Sequence, residues 1–231
     1  MARPTFFRYD ETKELHRILS AACDRGHAMS AVFDDFLTAS ICAMACGTME
    51  TEYLEVARRY SKGEPGERAI DRFPDAFAAL VAGMEKSRAD LLGDFFEGAI
   101  THGENGQFFT PEPVADALAK LTDDGAGETV CDPACGSGRC LLAAAKVNPA
   151  RKFYGTDVDH RCAKMAALNL ALNGLRGRIT WGNSLSLEEH GYYAIGEMGI
   201  PGLIRWCARR VQPFTAQPEK KPKQVGLFDA A

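Results

Sequence analysis

"VCDPACGSGRC", residues 130–140, decides the fold. Val130 and Cys131 lead into Asp132 and Pro133, and glycines follow at 136 and 138. That order reads as a short buried strand entering a tight turn, with a helix, "GSGRCLLAAAKV", opening beyond it. Outward from the turn, strands alternate with helices. "TVCD" is the first strand, "KFYGTDV" the second and "RITWGN" the third. Between the last two, "DHRCAKMAALNLALNG" carries Cys162, Met165, Leu168 and Leu172 on one helical stripe and stops at Gly174. The alternation predicts an α/β fold with a parallel sheet and right-handed crossovers.

Residues 10 to 100 read as helices. "SAVFDDFLTASICAMAC" has Ser30 as its expected N-cap and repeats Phe33, Leu37, Ile41 and Met44 at helical spacing. "PDAFAALVAGMEK" and "ADLLGDFFEGAI" follow the same pattern, and "SKGEPGER" is a loop. In "GENGQFFTPEPVADALAKL", Thr110 is placed to cap a helix and Pro111 to begin it, with Val114, Leu118 and Leu121 on one face. Past the third strand, "YYAI" reads as a fourth and "GLIRWCARR" as a helix. The expected organisation is a helical region over 1–100, a compact or truncated Rossmann-like domain over 101–211 and a flexible tail over 212–231.

The 231 residues are 46% hydrophobic and 25% charged, ordinary values for a globular chain. No apolar run is long enough for a spanning helix, and "MARPTFFRYDETKELHR" does not read as a signal peptide. The eight cysteines lie mostly among Ala, Leu and Met, which suits a reducing, cytoplasmic setting. The spacing of Cys131, Cys135 and Cys140 matches no common zinc pattern. The net charge of −4 does not suggest a dedicated nucleic-acid binder, yet Arg205, Arg209, Arg210, Lys220, Lys221 and Lys223 concentrate positive charge near one end.

Ligands in open parallel sheets sit beyond the carboxyl ends of the strands. Gly136 and Gly138 lie there, and their missing side chains are expected to let backbone approach a ligand, so that a side chain at 138 would block the pocket. A mononucleotide loop requires a following lysine, which is absent; a dinucleotide loop requires a third glycine, which is also absent. The second strand adds Asp157, whose carboxylate can accept hydrogen bonds from two ribose hydroxyls. The pair points to an adenosine without requiring a pyrophosphate. Taken singly, these residues have ordinary uses: Phe109 as core, Asp157 as a strand-end cap, Asp132 before Pro133 as a turn former.

"GQFFTP", "DPACGSG", "YGTDVD" and "WGNSL", in this order, resemble the S-adenosylmethionine-binding half of the adenine-N6 DNA methyltransferases, above all the modification subunits of type I restriction systems. "DLLGDFFE", residues 90–97, is similar to that family as well, so the likeness covers about residues 88–186. The resemblance implies S-adenosyl-L-methionine as cofactor and DNA as partner. It places Phe109, Thr110 and Pro111 along the methionine end. Asp132 faces the amino group, and Pro133, Ala134, Gly136 and Gly138 shape the turn. Asp157 meets the ribose, Val158 covers the adenine ring and Asn183 meets its edge.

The family's catalytic tetrapeptide, [ND]-P-P-[FYW] after a fourth strand, does not occur. The nearest string is "VQPF", residues 211–214, with Gln212 and Phe214 as stand-ins. Two functions remain open: an adenine-N6 methyltransferase, alone or completed by a partner subunit, and a methyltransferase-like regulatory or assembly module without transfer activity. Methylation of something other than duplex DNA is a third. Finally, "QVGLF", with Gln224, Leu227 and Phe228, resembles the peptides by which bacterial proteins dock on the replication sliding clamp.

Overall fold

The computed structural model describes residues 5–23, 26–101, 109–123 and 125–208. Its helical part comprises α1 (Asp10–Cys23), α2 (Met29–Met44), α3 (Glu50–Arg59), α4 (Arg72–Ser87) and α5 (Leu91–Phe95), which continues as a π-helical turn over Phe96–Thr101. α2 starts at Met29, and Ala28 stands at its cap without a side-chain bond, so Ser30 is not the cap. The helix does not need one: a cap contributes about 1 kcal/mol, while each large side chain it buries, among them Phe33, Phe36, Leu37 and Ile41, contributes about 1.5–3 kcal/mol.

α6 (Glu112–Leu121) leads to a five-stranded sheet of β1 (Thr129–Asp132), β2 (Lys152–Asp157), β3 (Arg176–Asn183), β4 (Glu188–Ile195) and β5 (Ile204–Ala208), in that spatial order. β1, β2 and β3 are parallel and joined by α7 (Arg139–Val147) and α8 (His160–Leu172), as predicted. β4 and β5 are antiparallel additions, so the sheet is mixed. "YYAI" does form the fourth strand, but beside β3 and far from β1. "GLIRWCARR" is not a helix, because Ile204–Ala208 is β5. Gly196, Gly199 and Gly202 all take positive φ, which reverses the chain after β4. Ile204 is then buried and Arg205 exposed, and pairing with β4 from Ile204 to Ala208 makes the stretch a strand.

α8 is buried all round from Cys162 to Ala171 because it lies between the sheet and α2. Lys164 crosses to α2, its Nζ 2.9 Å from Asp34 Oδ1 and 2.9 Å from Thr38 Oγ1. α6 packs on α7 with Ala115 and Ala119 buried between them, and Lys146 of α7 reaches Asp116 at 2.9 Å. Val114, Leu118 and Leu121 do share a face, but that face is exposed, Leu121 to 81%. The cap position of α6 is Pro111, not Thr110, with no side-chain bond. No helix among the described residues is long and apolar enough to cross a membrane.

Candidate cofactor site

The site forms where β1 and β2 end side by side. After Asp132 the chain turns through Pro133–Gly138. The turn is held to β2 by the Cys135 N–H on the Thr156 carbonyl, 2.9 Å, and by the Gly136 N–H on Asp157 Oδ2, 2.8 Å. Asp157 Oδ1 accepts the Asp159 N–H at 2.9 Å, so one carboxylate organises both loops. Burial raises the Asp157 carboxyl above the usual range, the two backbone N–H bonds oppose that, and the charges of Asp159 and Asp132 add to it. Asp132 is half-buried and spends one oxygen on the Ala134 N–H, 3.1 Å.

Both glycines have reasons that differ from close ligand approach. Gly136 has φ +53°, and a Cβ there would lie 2.8 Å from the Phe109 ring. Phe109 thus fills the space under the turn, stacked on Phe96 with centroids 5.8 Å apart. Gly138 has φ +86°, and its Cβ would point away from any ligand, 3.2 Å from the Ala166 Cβ on α8. The expectation that a side chain at 138 blocks the pocket is therefore corrected: it would separate the turn from α8.

At the mouth, Val158 is 66% exposed, with its carbonyl held by Trp181 Nε1 at 3.2 Å. Trp181 stacks on His160, centroids 4.0 Å apart, and His160 Nε2 lies 2.8 Å from the Tyr193 hydroxyl. Burial lowers the His160 pKa to about 4, so the ring is neutral at neutral pH. The β4–β5 hairpin supplies Tyr193 and Trp206 to this cluster, which is how an added hairpin comes to support the mouth. Asn183 Oδ1 accepts the Leu185 and Ser186 N–H groups, so its oxygen is used in the turn after β3. Ser184 Oγ donates to the Pro133 carbonyl at 2.8 Å and draws that turn across the end of β1.

Beneath the turn lies a buried network that the sequence reading did not resolve. Asp90 accepts from Ser137 Oγ (2.5 Å), Arg139 Nε (3.1 Å), Asn169 Nδ2 (2.8 Å) and the Gly93 N–H (2.8 Å). Arg139 also donates to the Thr110 carbonyl (3.1 Å) and Glu97 Oε2 (3.2 Å), while Glu97 Oε1 accepts the Phe109 N–H (3.2 Å). Burial pulls the Arg139 pKa down, and the Asp90 and Glu97 carboxylates more than reverse it, so the guanidinium stays charged. Asp90 and Glu97 come from "DLLGDFFE". They clamp Phe109–Pro111 and "GSGR" into one unit, which leaves Thr110 and Pro111 beside the glycine turn. The available signal was an arginine inside a glycine turn: a buried guanidinium demands acids, and this stretch holds them.

Burial pushes the Cys135, Cys140 and Cys162 thiols up, so none is a thiolate at neutral pH. All eight cysteines are free, and no cluster of metal-ligating side chains occurs among the described residues. Gln212, Phe214, Gln224, Leu227 and Phe228 lie outside the described residues.

The fold and this turn define a methyltransferase-type Rossmann-like protein. A family model for N-6 DNA Methylase matches residues 87–198. The methylase subunit of type I restriction enzyme MpnII from Mycoplasma pneumoniae is 31% identical over 105 residues, covering 40% of this chain and 19% of that protein. The MjaVIII methylase subunit from Methanocaldococcus jannaschii is 30% identical over 115 residues, covering 45% of this chain and 20% of its own length. The EcoKI methylase subunit from Escherichia coli is 26% identical over 148 residues, 49% of this chain and 28% of that one. The matched part of this chain thus spans about a fifth of the length of the first two relatives. Residues 87–198 of this chain are thus similar to the N-6 DNA methylase family and to type I methylase subunits.

The cofactor that goes with this family is S-adenosylmethionine, and the residues fit it. Two carboxylates stand at the ends of adjacent parallel strands, Asp157 is preset by backbone N–H groups, and the apolar Val158 is open beside them.

Proposed function

We propose that this chain is the cofactor-binding part of an adenine-N6 DNA methyltransferase, and that a second polypeptide completes its acceptor side. When bound, the cofactor supplies an electrophilic methyl group on a sulfonium. Asp157 accepts hydrogen bonds from the ribose hydroxyls on the lone pairs its backbone donors leave free. Val158 covers the adenine ring. Asp132 faces the ammonium of the methionine end, with Thr110 and Pro111 alongside. Gly136, Ala134 and Pro133 keep the turn narrow, and the Asn183 amide lies towards the adenine edge.

The observation that carries the need for a partner is the position of β1. It bears the glycine turn yet stands at the edge of the sheet, and no described residue pairs with its outer side. In open α/β sheets the ligand crevice has a strand on each side. α6 adds an exposed apolar stripe, Val114, Leu118 and Leu121. An incoming strand parallel to β1, with a segment that covers this stripe, supplies the missing wall. The absence of the [ND]-P-P-[FYW] string agrees, with Gln212 and Phe214 the only stand-ins in the sequence. The clamp-docking reading of Gln224, Leu227 and Phe228 stays part of this proposal on sequence alone.

Labelled cofactor and unmethylated DNA test it. The purified chain binds S-adenosylmethionine and transfers little or no methyl by itself, and transfer appears when the products of adjoining genes are added. Strong N6-methyladenine formation by the chain alone overturns the partner. Binding without transfer under every combination makes the chain a regulatory module instead. Asp157→Ala weakens cofactor binding roughly 10- to 100-fold, the equivalent of about 1.5–3 kcal/mol for hydrogen bonds to a charged group. Calorimetry that finds no binding by the native chain at millimolar cofactor removes the reading altogether.

A further inference from the structure

Both crossover helices, α7 and α8, pack on one face of the sheet. Parallel strands are normally covered on both faces and apolar on both. Here no described helix covers the second face, and that face is not apolar. It carries Lys152 and Tyr154 from β2, Arg176 and Arg178 from β3, Tyr192 from β4 and Arg205 from β5. These residues, Arg205 apart, line a cavity of about 490 Å³ whose floor includes Gly177 and Ala194. That volume falls within the usual range for small-molecule and nucleotide sites.

Three features of this face call for a ligand. Lys152 and Arg176 are register partners on adjacent strands, which roots two cationic side chains about 4.8 Å apart on the same face, with the Arg176 guanidinium donating to the Ala150 carbonyl at 3.2 Å. Such a pair is destabilising by itself, and no described carboxylate pairs with either residue. Next along the strands, Tyr154 is the register partner of Arg178 and 38% exposed. Arg178 in turn lies over the Tyr192 ring, its Cζ 3.8 Å from the centroid, and is held by Glu189 at 2.6 Å. The result is two adjacent ring and guanidinium platforms beside two cations with no described carboxylate partner; Glu197, at the rim of the same cavity, is paired with Arg205.

We propose that this open face binds single-stranded nucleic acid, with backbone phosphates on Lys152 and Arg176 and bases stacked on Tyr154 and on the Arg178–Tyr192 platform. Aromatic platforms take bases whose faces are free, which a duplex hides. From Lys152 on β2 to Arg205 on β5 the cationic row crosses three strand spacings, roughly 14 Å, more than one nucleotide occupies. Lys152 and Arg176 are the first residues of β2 and β3, at the opposite end of the strands from the glycine turn. The surface therefore lies beyond the acceptor side described above and holds nucleic acid whether or not the chain transfers a methyl group.

The test is fluorescence anisotropy of a labelled 20-nucleotide oligo(dT) with the full chain at several salt concentrations, with unlabelled duplex and free AMP as competitors. Native protein binds the oligonucleotide. Lys152→Ala/Arg176→Ala weakens binding at least tenfold and flattens the slope of log affinity against log salt by about 1.4, two phosphates at about 0.7 each. Tyr154→Ala weakens it about 5- to 20-fold with little change of slope. All three side chains are exposed or half-exposed, so thermal melting stays near native, and any binding by the basic stretch at Arg209–Lys223 is common to every variant. Both variants keep native cofactor affinity, and Asp157→Ala keeps native oligonucleotide affinity. Equal binding by native and variants, no binding by native, preference for duplex, or displacement by AMP at the same nucleotide concentration as oligo(dT) overturns the proposal. Loss of cofactor binding in the native chain with oligonucleotide binding intact would sink the methyltransferase reading and leave this one standing.

Discussion

Asp90→Ala lowers the unfolding free energy by about 3–5 kcal/mol, the range for removing one partner of a buried ion pair. Asp90 is 2% exposed, and its donors are a guanidinium, a hydroxyl, an amide and a backbone N–H. Alanine leaves all of them desolvated and only Arg139 with another acid, Glu97. The cost is therefore set by the stranded donors rather than by the lost attraction. Asp90→Asn keeps an acceptor and loses the charge, and falls between native and alanine. Because Ser137 and Arg139 lose their anchor, cofactor affinity falls even at temperatures where the variant is folded. Urea unfolding read by tryptophan fluorescence, with calorimetry of cofactor binding, measures both effects. A change under 1 kcal/mol would mean that Asp90 does not hold the turn.

Gly138→Val destabilises the chain by about 2–5 kcal/mol through two separable effects. A β-branched residue at φ +86° adopts a region that L side chains avoid, at about 1–2 kcal/mol. The added carbons also meet Ala166 and Leu170 on α8, and overpacking of this kind costs about 1–3 kcal/mol. Ala166→Gly in the same chain removes the closest Cβ and recovers part of the packing share; the Ala166 Cα, 3.3 Å away, and the backbone share remain. If the double variant is no more stable than expected from the two single changes added together, the turn and α8 do not press on each other there.

The strands and helices from Thr129 to Asn183 were legible because they are local. Period, glycine punctuation and caps act within a few residues, and residues 129–183 have the expected order of elements. The positions of Asp132 and Asp157 at strand ends, and of Gly136 and Gly138 in the turn before α7, were legible for the same reason. "GLIRWCARR" misled because nine residues hold too little periodicity to separate helix from strand, and pairing with β4 decided it.

What only the tertiary structure decided is which residues meet across long separations. Asp90 and Arg139 are 49 positions apart, and nothing in either stretch says that one neutralises the other until the core excludes water from both. The direction of the missing Cβ at Gly138, towards α8 rather than towards a ligand, depends on where α8 packs. That Val114, Leu118 and Leu121 face outward, and that β1 is an edge, follows from the order of strands in the sheet. Periodicity makes a face apolar in the sequence itself, but burial is a property of what the rest of the chain brings against that face. Along the outer edge of β1 the described chain brings no strand, and it leaves the Val114, Leu118 and Leu121 face of α6 exposed.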